Sequence, residues 1–164
     1  MKSLLVMRHA KSDYPADVPD DFDRPLNKRG LKDAPRMARV VLGTDLVPDL
    51  ISSAARRAKE TVTGLEEGGL RTRATSFDDR LYLADTQTLY EVISELPREC
   101  TSAMIIGHNP GLESWIEELC GCRLRLPTAG IAAIDLSCTS WDASYNAQGQ
   151  LQWFHIPRLM RSVE

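Results

Sequence analysis

The sequence predicts a single three-layer α/β domain, a mostly parallel sheet with helices on both faces. Three observations carry that reading. Apolar runs at 4–7, 103–106 and 131–136 are as continuous as strands covered on both faces require. Segments ending at Arg8-His9, Arg56-Arg57 and Gly107-His108 share a strand, polar turn, helix pattern, the repeating unit of a parallel sheet. The length, 164 residues, suits one domain with a substantial core, and no repeat or linker divides it.

Composition narrows the function classes. Apolar residues make up 43% and charged residues 26%, with a net charge of −3, so bulk charge gives no reason to expect nucleic-acid or anionic-membrane partners. No apolar run approaches the roughly 18 residues of a membrane span, and Met1-Lys2-Ser3 leads into a strand without a signal-peptide core. A cytoplasmic location with reduced thiols is the expectation. Cys100, Cys120, Cys122 and Cys138 do not form a zinc pattern, since a single residue separates Cys120 from Cys122. No metal or other cofactor is expected.

Taken in order, the first strand ends in Arg8, His9 and Lys11. Ligands of α/β sheets bind beyond the carboxyl ends of strands. A histidine fixed there could attack phosphorus while a neighbouring guanidinium holds the phosphoryl oxygens. The connection 12–26 is rich in Asp and Pro and borders the same crevice. It reads as a solvated acidic loop, with docking of a basic protein surface as the alternative. Asn27 caps a helix over 28–42, with Leu31, Ala34, Ala38 and Val41 on its inner face; Pro35 predicts a bend or restart.

A second strand runs to Ser52, starting after Pro48, and a helix follows through Thr61. Arg56 and Arg57 in its first turn oppose the helix dipole, a local conflict that hints at function for at least one of them. The stretch 64–79 is ill defined, with a turn at Gly68-Gly69 and a short strand near 74–77. A helix begins at Thr86 and ends at Pro97, its stripe of Leu89, Val92, Ile93 and Leu96 being core. After the 103–106 strand, Gly107-His108-Asn109-Pro110-Gly111 turns tightly into a helix over 112–119. The 131–136 strand follows a turn at 126–130. An edge strand at 150–156 contains His155, read as structural.

Two histidines and two or more arginines thus converge on one sheet edge. That is the set phosphoryl transfer needs, a nucleophile plus fixed donors on the equatorial oxygens. The sequence is similar to the histidine phosphatase superfamily, whose signature is Arg-His-Gly after the first strand. It most resembles the short branch typified by phosphohistidine phosphatases. The matching residues are Arg8-His9-Ala10-Lys11-Ser12, Pro25-Leu26-Asn27-Lys28-Arg29-Gly30, the stretch from Ser53 through Arg56-Arg57-Ala58 to Thr61, and Gly107-His108-Asn109-Pro110-Gly111.

The resemblance implies a phosphoglycerate-mutase-like fold without a large cap insertion. It also implies His9 as the phosphorylated nucleophile, Arg8 and Arg57 as the phosphate-pocket arginines, and His108 as the second pocket histidine. Arg57 is chosen over Arg56 because the family's arginine lies four residues before a threonine, here Thr61. Ala10 replaces the motif glycine, which a negative φ would allow. The general acid that mutases and acid phosphatases of the family carry near 80–85 falls on Leu83, with Asp85 as a substitute. An imidazole leaving group tolerates that loss better than an alkoxide. The implied activity is hydrolysis of a phosphorylated protein side chain, phosphohistidine above all. A small phosphorylated metabolite is the alternative substrate, and a silent phospho-ligand-binding module the distant rival.

Overall fold

The computed structural model describes residues 1–161. Its order is β1 (Lys2–Arg8), α1 (Lys28–Leu42), β2 (Asp49–Ser53), α2 (Arg56–Glu67), β3 (Ala74–Asp78), α3 (Thr86–Ser94), β4 (Ser102–Gly107), α4 (Gly111–Cys120), β5 (Ile131–Leu136), β6 (Gly149–His155) and α5 (Pro157–Arg161). Short 3-10 turns cover Asp21–Asp23, Asp79–Leu81 and Trp141–Asn146. The strands form one sheet in the order β3-β2-β4-β1-β5-β6. The first four in that order are mutually parallel, β5 pairs antiparallel with both β1 and β6, and β5 is therefore the one reversed strand.

The alternation of side chains along a strand explains the unbroken apolar runs. Leu4 and Val6 of β1, with Ala103 and Ile105 of β4, enter one core beneath α3 and α4. Leu5, Met7, Met104 and Ile106 enter a second core beneath α1 and α2. Both faces of the central strands are therefore buried, and no polar position is tolerated between their ends. The connection after β1 leaves to the α1/α2 face and that after β4 to the α3/α4 face. The gap between their carboxyl ends is a topological switch point, the place where such sheets bind ligands.

Three expectations are corrected. Helix α1 runs unbroken through Pro35, although an interior proline costs a helix about 3 kcal/mol. Close packing of α2 offsets that cost: a Cβ on Gly64 would lie 2.7 Å from the Ala34 methyl, and one on Gly68 would overlap the Pro35 carbonyl. The inner face of α1 is Ala34, Met37, Ala38 and Val41, whereas Leu31 is exposed. The acidic connection is also no free loop. A bridge between Ser12 and Leu26 closes its base, and Leu26 N–H donates to Glu60 of α2 at 2.7 Å. The 3-10 helices and α5 carry too few residues to show a period in sequence.

Among the described residues no helix is long and apolar enough to cross a membrane. The four cysteines are free thiols.

Candidate active site

Parallel pairing of β1 with β4 sets Arg8 opposite Gly107. The next residue of each strand is a histidine, so register alone brings His9 and His108 side by side. Their ring centroids are 5.0 Å apart. The backbone here is pinned from several sides. His9 N–H donates to the Gly107 carbonyl, and Ala129 N–H lies 3.0 Å from the carbonyls of both Arg8 and His9. Ala10 N–H donates to Thr61 Oγ1 at 2.9 Å, and that hydroxyl donates to the Arg57 carbonyl at 2.7 Å. Thr61 thus ties the turn after β1 to the first turn of α2. Ala10 does not adopt positive φ, so its methyl meets no backbone penalty.

Arg57 is the hub. Its Nε donates to His9 Nε2 and its Nη2 to His108 Nδ1, both at 3.3 Å. A guanidinium can only donate, so both receiving nitrogens must carry lone pairs. The tautomers follow from that constraint. His9 is protonated on Nδ1, which donates to the Ala10 carbonyl at 2.7 Å, and His108 is protonated on Nε2, which donates to Ser53 Oγ at 2.8 Å. Burial, reinforced by the neighbouring cations, pushes both imidazoles down to about 3. His9 therefore stands neutral with its Nε2 lone pair turned to Arg57, and His108 is neutral too.

Arg8 lies beside this pair. Its Nη1 donates to the Leu126 carbonyl at 3.3 Å, while its buried Nε finds no partner. Asn109 Nδ2 donates to the same carbonyl and to Glu113, which also receives the Leu126 N–H at 2.7 Å. The 126–130 turn is thereby held against the base of α4. Arg56, the alternative arginine, points outward and pairs with Glu60 at 2.8 Å. His155 ends β6 opposite Ile131.

Two residues escaped the sequence reading. Asp21, from the acidic connection, sets its Oδ2 3.0 Å from Arg57 Nη2, and its backbone carbonyl accepts from Arg57 Nη1 at 2.5 Å. Tyr82 donates its hydroxyl to the same Oδ2 at 2.5 Å and turns its ring edge-on to His108, 5.4 Å between centroids. Phe22 packs edge-on against Tyr82 at 5.0 Å. In the segment expected to hold an acid, Tyr82 is therefore the side chain that meets the site. Leu83 is exposed with φ of 49°, and Asp85 caps α3 by accepting from Thr88 N–H at 2.9 Å. That bond holds the Asp85 carboxyl below its usual range.

The structure thus brings His9, His108 and Arg57 into one buried cluster, with Arg8 beside it. The sequence pattern of the histidine phosphatase superfamily (branch 1) matches residues 4–82. The chain belongs to the histidine phosphatase superfamily. An uncharacterized protein of Mycobacterium leprae is 32% identical over 169 residues, 93% of this chain and 100% of that protein. An uncharacterized chloroplastic protein of Arabidopsis thaliana is 30% identical over 162 residues, covering 93% of this chain and 74% of that one. Among solved structures, an Agrobacterium tumefaciens protein assigned as phosphohistidine phosphatase SixA superposes with a TM-score of 0.80 at 26% identity, over 95% of this chain and 98% of that chain. The protein histidine phosphatase SixA complexed with tungstate gives 0.81 at 21%, over 96% and 99%. Membership of the superfamily and these neighbours support a phosphatase on this phosphoglycerate-mutase-like fold.

The buried histidines have a consequence for stability. A histidine whose folded pKa is depressed binds protons more readily in the unfolded chain. Stability is therefore intact above about pH 6.5 and is lost as pH falls from there towards 3. Each group contributes at most about 1.4 kcal/mol per pH unit to the slope. Urea midpoints are expected to fall between about pH 7 and about pH 5, and His108→Asn to flatten the decline. Equal slopes in the two proteins would mean that His108 titrates normally.

Proposed function

We propose that the protein is a phosphatase working through a phosphohistidine intermediate at His9, and that its substrate is a phosphohistidine side chain of another protein. The observation that carries the reading is the state of His9: neutral, its Nε2 lone pair held in a pocket with Arg57 and His108 and flanked by Arg8. Nε2 attacks phosphorus as the bond to the carrier nitrogen breaks, the electron pair returning to that nitrogen. Water then attacks phosphorus, the P–Nε2 bond breaks, and orthophosphate leaves with the protons of the water. Arg57 and Arg8 neutralise charge spreading over the phosphoryl oxygens. When the phosphoryl dianion occupies the pocket, its charge favours a proton on His108, which then donates as well.

No metal is assigned to this chemistry. Among the described residues no three His, Cys, Asp or Glu side chains are grouped to hold one. The absence of a carboxylic acid from the 82–84 turn suits an imidazole leaving group, which departs without strong acid help. The likeness to SixA structures supports a protein substrate. The four free thiols fit a reducing cytoplasm. A small phosphorylated metabolite is the second reading, favoured by a TM-score of 0.71 to a mycobacterial glucosyl-3-phosphoglycerate phosphatase at 17% identity.

Rapid-quench labelling with a phosphohistidine peptide and with an aryl phosphate tests the proposal. The expected label is lost in acid, survives alkali, and forms faster from the peptide. An acid-stable label removes His9 from the role. A faster label from small esters selects the metabolite reading, and no label from either donor selects a silent binding module.

A further inference from the structure

The pocket just described is nearly closed. His9 is 6% exposed, His108 3% and Arg57 2%. The anion position on Arg57 is already taken, because Asp21 presents both its carboxylate and its backbone carbonyl to that guanidinium. The Asp21 carboxylate is itself clamped. Oδ1 accepts from Arg24 Nε at 2.9 Å, and Oδ2 accepts from Tyr82 as well as from Arg57. Arg24 is fixed in turn by its guanidinium stacking over the Tyr14 ring at 3.7 Å and by a bond to the Asp13 carbonyl. A phosphoryl group ligated by Arg57 and attacked by His9 must first displace this carboxylate.

Resting on the phosphatase reading above, we infer that Asp21 is the specificity-determining residue of the site, an internal competitor for the phosphoryl position on Arg57. Two properties follow. Phosphoryl binding is set against an existing ion pair, so bare phosphate binds weakly and product leaves readily. Once displaced, the carboxylate remains at the pocket mouth, retained by Arg24 and Tyr82. There it repels a carrier bearing its own negative charge near phosphorus. A neutral or protonated carrier such as imidazole carries no such penalty. Asp21 thus selects by repulsion, while the arginines attract every phosphate alike.

The first test is binding and needs no turnover. Calorimetric titration with inorganic phosphate compares the parent protein with Asp21→Asn and Asp21→Ser, the second variant guarding against an Asn that retains the clamp. Asp23→Asn, a charge change in the same turn at a side chain for which the site has no use, is the control. Removing a half-exposed ionic competitor is expected to tighten phosphate about five- to ten-fold, with the control changing less than about two-fold. Unchanged or weaker binding in both Asp21 variants overturns the inference, and so does equal tightening in the Asp23 control, which would show a general field effect.

The second test reads selectivity. The ratio of kcat/KM for phosphoglycolate, whose carrier is anionic, to that for an aryl phosphate is expected to rise several-fold in Asp21→Asn. A constant ratio overturns the selective role. If no phosphate ester or phosphohistidine peptide is turned over by any of these proteins, the phosphatase reading fails, while the binding arm still decides whether Asp21 competes for the anion.

Discussion

Replacing His9 by Ala is expected to abolish phosphatase turnover, a loss of about 10⁴-fold or more in kcat. The arginines, as guanidinium cations, have no lone pair with which to attack. His108, which accepts from Arg57 as His9 does, is given the donor role in this proposal. The substitution also removes the donor to the Ala10 carbonyl, which the tight turn after β1 uses. The variant must therefore be shown to fold by its thermal transition before its activity is read. Steady-state assay with the aryl phosphate and the phosphohistidine peptide, together with rapid-quench labelling, makes the measurement. Turnover within ten-fold of the parent would eliminate the covalent route.

Arg57→Ala is expected to lower kcat by about 10²–10³, as for a lost transition-state donor. Arg57→Lys should recover only part of it, because an ammonium cannot reach His9, His108 and Asp21 with a planar fork. The arginine has a second effect that distinguishes it from a passive phosphate clamp. Its charge helps hold both imidazoles unprotonated, so without it their pKa values rise. The acid limb of kcat/KM is accordingly expected to move to higher pH in Arg57→Ala, a shift that a purely substrate-binding residue would not produce. A uniform loss of activity at every pH would contradict that coupling.

Much of this arrangement could be read from the amino acids because its determinants are local. β1, β4 and β5 announce themselves through apolar runs, since both faces of each are covered. Arg8, His9, Arg57 and His108 each sit at a strand exit or helix start that the pattern marks. Edge strand β3 is weak in sequence because it is exposed along nearly its whole length. Asp21 was one of five aspartates between 13 and 23, and nothing local separates it from the others. Its distinction comes from a contact 36 residues away, made through a loop whose path is fixed by the Ser12–Leu26 bridge. Tyr82 was hidden for a related reason. The 82–85 turn is shaped by packing of the Ala84 carbonyl against Gly111, where any Cβ would overlap it, and that contact too is distant in sequence.

The position of β4 between β1 and β2 has a bearing on how the chain assembles during synthesis. Residues 4–82, the span matching the family pattern, contain His9 and Arg57 but not the strand that joins their two halves of the sheet. Until β4 emerges from the ribosome, β1 and β2 have no partner in common, and their exposed edges must wait. Contacts of such long sequence separation are slow to form and leave apolar surface open to association meanwhile. The strand that delivers His108 is therefore also the keystone of the sheet. A nascent chain halted before residue 102 lacks both the strand that completes the sheet and His108.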